Sequence, residues 1–168
     1  MKVFRIILLG FGMLVVFVVG GVMFLNRHTV ITNDQVMARL EKAGGVDEVN
    51  KEAEVIFSVF GTNDVFILQD YGIPHLNDYP EMKSHPEIKS FPAIFALGDV
   101  VMVQGGSFNT APEIHVRYGK HNQAKTIDIF PPSFDVNKAT NFSNISVFLS
   151  DPSYLRVTNN IFAWKGKH

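Results

Sequence analysis

Glu113-Ile114-His115-Val116-Arg117-Tyr118, followed after Gly119-Lys120-His121-Asn122 by a second arm over residues 124–130, is the stretch whose reading decides the fold. Ile114, Val116 and Tyr118 alternate with Glu113, His115 and Arg117. Successive strand side chains point to opposite faces, so this period of two sends one apolar set to a core and one polar set to the other side. Pro131-Pro132 stops the second arm, and residues 112–131 read as an antiparallel hairpin. With Lys120 and His121 at the centre of the loop, the register places Ile114 opposite Ile127, His115 opposite Thr126 and Glu113 opposite Asp128.

Outward from the hairpin, further strands are expected at residues 145–149, 154–158 and 161–164, with a polar, turn-like stretch over 135–144 and a fraying tail over 165–168. On the N-terminal side, residues 93–97 and 100–104 flank Gly98-Asp99 and read as another hairpin, and 105–112 as a loop. Val65, Phe66, Ile67 and Leu68 form a continuous apolar run, as in a buried strand. Between these lie prolines at 74, 80, 86 and 92, with two units reading Pro-Glu-Met-Lys-Ser-His and Pro-Glu-Ile-Lys-Ser-Phe. Proline favours the first position of a helical turn and cannot continue one, so each unit is expected to be one small turn, anchored inward by Leu76, Met82, Ile88 and Ile94.

Two short amphipathic helices precede the strands. Thr32 and Gln35 match a capping box; Val36, Met37, Leu40 and Ala43 then share a face, and Gly44-Gly45 stops the helix. A second starts near Asp47, with Val49, Ala53, Ile56, Phe57 and Phe60 on one side and Glu48, Lys51, Glu52 and Glu54 toward water. Packing on the sheet is the expected role of the pair. The fold class is therefore α+β, with a mainly antiparallel sheet.

Residues 6–25 contain no charged, Asn or Gln side chain. Twenty helical residues rise about 30 Å, the hydrocarbon thickness of a bilayer, so this segment reads as a transmembrane signal-anchor helix that contacts lipid. A cleaved signal peptide fits less well, because its apolar region runs only about 7–15 residues and ends in a small-x-small site. Lys2 and Arg5 precede the span and Arg27 alone follows closely, so residues 1–5 are expected in the cytoplasm and residues 26–168 outside it. Setting aside Lys2 and Arg5 leaves 13 basic against 16 acidic residues, a net charge near -3, and no basic patch points to nucleic acid. The chain has no cysteine, which excludes disulfides, a lipid-modified cysteine anchor and Cys-based zinc or redox sites. Fifteen phenylalanines suit a sheet-rich core.

Histidines stand at 28, 75, 85, 115, 121 and 168, none at the spacing of a helical zinc pair, so neither metal nor cofactor is expected. No Gly-x-Ser-x-Gly elbow is present, and Gly105-Gly106-Ser107 lacks the following helix and lysine of a phosphate loop. Asn141-Phe142-Ser143 and Asn144-Ile145-Ser146 match the glycosylation triplet, which matters only in a eukaryotic secretory route. The chemistry-bearing residues lie on the hairpin's polar face, where His115, Arg117 and Asp128 are weak catalytic candidates beside Glu113 and Thr126. Two functions follow. One is an anchored module that binds or assembles envelope components, with a protein partner in the membrane or envelope; the other is a small membrane-tethered hydrolase or metal-dependent enzyme using that face.

Overall fold

The computed structural model describes residues 30–60, 65–79, 90–119, 124–139 and 141–165. In chain order these form α1 (Asn33–Lys42), α2 (Val46–Val59), β1 (Val65–Asp70), β2 (Ile73–Pro74), a 3-10 turn (Leu76–Asp78), α3 (Pro92–Leu97), β3 (Val100–Gln104), β4 (Glu113–Tyr118), β5 (Lys125–Ile129), α4 (Ser143–Ser150), β6 (Tyr154–Arg156) and β7 (Ile161–Trp164). The strands make one sheet in the order β2-β1-β3-β4-β5-β7-β6, each described pair antiparallel. The α+β class is thus observed. Among the described residues no helix is long and apolar enough to cross a membrane. Residues 6–25, on which the anchor reading rests, lie outside them.

The alternation of β4 does what strand geometry requires. Ile114, Val116 and Tyr118 are buried on one face of the sheet with Val101, Val103, Ile127, Ile129, Ile161 and Ala163. Against that face pack Val36 and Leu40 of α1, Val49, Ala53 and Ile56 of α2, and Ile94 and Leu97 of α3. The capping box at Thr32 and Gln35 is present, and the backbone N–H of Gly45 bonds back to Leu40 O at 2.8 Å to close α1. The opposite face carries a second core of Phe130, Phe162, Val136 and Ile145, with Phe134, Phe142 and Phe148 packed around it. Here the phenylalanines meet edge to face, Phe130 lying 5.3 Å from Phe148 and 5.8 Å from Phe162.

Several expectations are corrected. Residues 93–97 are α3, not a strand: Pro92 occupies the start of the helix, and Glu52 accepts from the backbone N–H of Ala93 at 3.1 Å and of Ile94 at 2.8 Å. Glu52 was expected toward water but is buried, because the first turn of α3 lies on it. Gly98 therefore links helix to strand instead of forming a hairpin turn, and a Cβ there would stand 2.5 Å from the backbone oxygen of Arg117. Residues 145–149 are also helical, within α4; Ile-Ser-Val-Phe-Leu is too short for its period to separate strand from helix, and Ile145 is buried in the aromatic core. β1 is not a continuously buried strand. Val65 and Ile67 are 62% and 43% exposed, while Phe66 and Leu68 turn inward. β6 ends at Arg156, short of Thr158; of the tail expected to fray, Lys165 bonds to Ser153 O and residues 166–168 lie outside the described residues. Of the proline-spaced anchors, Leu76 and Ile94 are buried; Met82 and Ile88 lie outside the described residues.

Candidate functional site

β4 and β5 pair as the expected hairpin arms, but Tyr118 faces Lys125, not residue 123. The pairing consequently slips by two: Ile114 faces Ile129, Val116 faces Ile127, Arg117 faces Thr126, and His115 faces Asp128. A slip of two keeps every side chain on its face and changes only its partner. That change creates the site. A single row now crosses the outer face as Ile67, Met102, His115, Asp128, Phe162 and Arg156.

Within this row Asp128 is 2% exposed, and its Oδ1 lies 2.5 Å from His115 Nδ1. An ionised carboxylate only accepts, so Nδ1 carries the hydrogen, and Nε2 meets no hydrogen-bond partner among the described residues, on a ring that keeps 30% of its surface accessible. Thr126 Oγ1 approaches the other carboxylate oxygen, Oδ2, at 3.5 Å. Beside them Asn144, from the first turn of α4, donates to Glu113 Oε2 at 3.1 Å and to Ala111 O at 3.0 Å, and accepts from the backbone N–H of Ala111 at 3.0 Å. Asn144 thus fastens α4 to the start of β4.

Burial pushes the Glu113 carboxyl up to about 7, with the Asp128 charge adding and the Asn144 hydrogen bond opposing. At His115, burial acts against the imidazolium, but the hydrogen bond and charge of Asp128 outweigh it, Glu113 adds to them, and the net direction is upward. Tyr154 on β6 is raised by burial first, then by Asp128, Asp151 and Glu113. The arrangement is an oriented imidazole beside a carboxyl that exchanges its proton near neutrality, which is acid–base equipment. No described hydroxyl or thiol is held against His115 as a nucleophile, and among the described residues no group of three His, Cys, Asp or Glu is placed to hold a metal ion.

Of the sequence candidates, the structure brings His115 and Asp128 together and leaves Arg117 one row away, lining a cleft with Tyr71 and Gly119. Sequence reasoning missed Asn144 and Tyr154, which lie 29 and 39 residues beyond His115. Asn144 carried only a glycosylation triplet, and its two-sided bonding to Ala111 leaves the amide engaged.

Both raised groups make stability depend on pH in the same sense. A carboxyl raised from 4.5 to about 7 contributes stability that is complete below 4.5 and is lost as pH climbs to 7. A histidine raised above 6.5 contributes below 6.5 and loses that contribution as pH rises through its folded value. Glu52, raised chiefly by burial, adds to the same slope. The melting temperature should therefore fall between pH 5 and 8, and Glu113→Gln should flatten that fall and melt above the wild type at pH 8. Melting curves across that range check it; a profile unchanged by Glu113→Gln would show that the carboxyl does not titrate there.

No protein-family model, no curated protein and no solved structure matches this chain.

Proposed function

We propose that residues 6–25 anchor the chain in a bilayer and that the domain beyond them is an extracytoplasmic binding module, engaging a protein partner of the envelope through the outer face of the sheet. The observation that carries this reading is the incomplete cover of that face. The α4 core lies over Phe162 and Phe130, whereas toward the other edge Val65 and Ile67 keep 62% and 43% of their surface exposed, in and beside the row that holds His115. Apolar side chains next to a half-buried polar cluster are the composition of a protein contact, an apolar centre with a hydrogen-bonding flank.

Photo-crosslinking in native membranes tests the face. A benzoylphenylalanine at Ile67 should give a discrete adduct that Val65→Asp abolishes, and the same probe at Ser58, exposed on α2, should give none. Equal labelling at both positions would remove the support for this surface. Topology is tested separately. With Lys2 and Arg5 ahead of the span, a C-terminal alkaline phosphatase fusion in a bacterial host should be active, and an inactive fusion would place the domain in the cytoplasm.

The second reading, a membrane-tethered acid–base enzyme, is favoured by one contact, the His115–Asp128 hydrogen bond that orients the imidazole through Nδ1. The two separate cleanly. Loss of a cellular phenotype in a folded His115→Gln variant that still forms the Ile67 adduct would favour the enzyme.

A further inference from the structure

One rim of the sheet can be followed by its backbone bonds. Gly72 N–H donates to Asp99 O, Asp99 N–H to Arg117 O, Tyr118 pairs with Lys125, Lys165 N–H donates to Ser153 O, and Ile31 N–H donates to Lys165 O. The point where the chain enters the domain, Val30–Ile31, is therefore on the same rim as the β1–β2 turn and the end of β7. Leu25 is five residue steps from Val30, a reach of at most about 18 Å.

This rim carries apolar and aromatic side chains that the fold does not use. Tyr71 is 78% and Ile73 63% exposed, and Val30 stands 37% exposed. The chain's single tryptophan, Trp164, lies half-buried at the end of β7. Tyr71 is the one described non-glycine residue with positive φ, at 46°, followed by Gly72 at 78°. Two successive positive φ values make the tight hairpin turn that prefers Asn-Gly, so a bulky tyrosine in the first position is conformationally unfavourable. An exposed aromatic held at an unfavourable φ points to a task outside the turn. Tyrosine and tryptophan are the side chains that concentrate at the boundary between lipid and water, with an apolar body and a polar tip. Between Tyr71 and Gly119 the rim holds a cleft of about 290 Å³ walled by Arg117 and Asp99, charges of both signs, as a zwitterionic headgroup requires.

We propose that this rim is a membrane-docking surface, which rests on the bilayer of the anchor with Tyr71, Ile73 and Trp164 entering the headgroup layer of zwitterionic lipid. It builds on the anchor reading, and its test keeps the two apart.

The full chain is reconstituted in phosphatidylcholine vesicles brominated on the acyl chains near the headgroup. In a Trp164→Phe background, the tryptophan placed by Tyr71→Trp should be quenched several-fold more than one placed by Phe108→Trp. Phe108 is 94% exposed in the loop between β3 and β4, at the opposite rim. In the native background, Tyr71→Asn with Ile73→Ser should reduce quenching of Trp164. The double variant should melt no lower than the wild type, because asparagine suits the turn and Ile73 is exposed, and this excludes unfolding as the cause. Release of the full chain by alkaline carbonate would overturn the anchor. Retention with equal quenching at the two rims, or none at Tyr71→Trp, would overturn the docking surface alone.

Discussion

Ile114→Ala is expected to lower the free energy of unfolding by about 2–5 kcal/mol. The side chain is fully buried at the centre of the sheet, between Val103 and Ile129 on the neighbouring strands, and α1, α2 and α3 close over it. Removing three carbons from such a site loses their transfer free energy and leaves a cavity that rigid neighbours on three sides cannot fill. Ile127→Ala should behave alike for the same reason. The opposite face gives the instructive contrast. His115→Ala leaves Oδ1 of Asp128, a residue 2% exposed, without its partner while Oδ2 keeps only the long Thr126 contact, and should cost roughly 1–3 kcal/mol. A solvated strand residue would change stability by only about 0.5 kcal/mol or less. Denaturant unfolding of the full chain in detergent measures all three; an Ile114→Ala loss under about 1 kcal/mol would mean the sheet face is less tightly packed than these contacts describe.

The second large effect is expected at Glu52. Its carboxylate accepts from two N–H groups at the first turn of α3, which have no helical partner of their own. Glu52→Ala leaves both donors buried and should cost roughly 2–4 kcal/mol, whereas Glu48→Ala and Glu54→Ala on the watery side of the same helix should stay within about 0.5 kcal/mol. Loss of α3 would also release Leu97 O from Arg39, whose guanidinium donates to it at 2.8 Å while lying 4.0 Å over the Tyr118 ring. Amide exchange read by mass spectrometry should therefore show residues 92–97 opening in Glu52→Ala before the sheet does. Equal exchange in Glu52→Ala and Glu54→Ala would show that the cap contributes little.

How much of this was legible beforehand differs by element. The periods of β4, β5 and β7, the capping box at Thr32 and the apolar face of α2 all stand in the sequence, because each depends on neighbours one to four residues apart. Where two elements compete for the same short apolar run, as at residues 93–97 and 145–149, local pattern has no vote. The contacts that hold both helices come from far along the chain, Glu52 bonding Ala93 of α3 from 41 residues away and Ala111 bonding Asn144 of α4 from 33, with Ile145 buried in the aromatic core.

The candidate site divides in the same way. Sequence alone determined the α+β class, that the hairpin has one apolar and one polar face, and that His115 and Asp128 share the polar one, since strand alternation is a local property of the backbone. It also determined the twenty-residue apolar stretch on which the anchor proposal rests. Tertiary structure decided which polar residues meet. Register is set by how loop and core fit together, and a slip of two costs nothing in alternation while it exchanges Thr126 for Asp128 as the partner of His115. The partner of Glu113 is likewise a tertiary decision: Asn144 of α4 lies 31 residues along the chain, and only the packed core brings it onto the sheet.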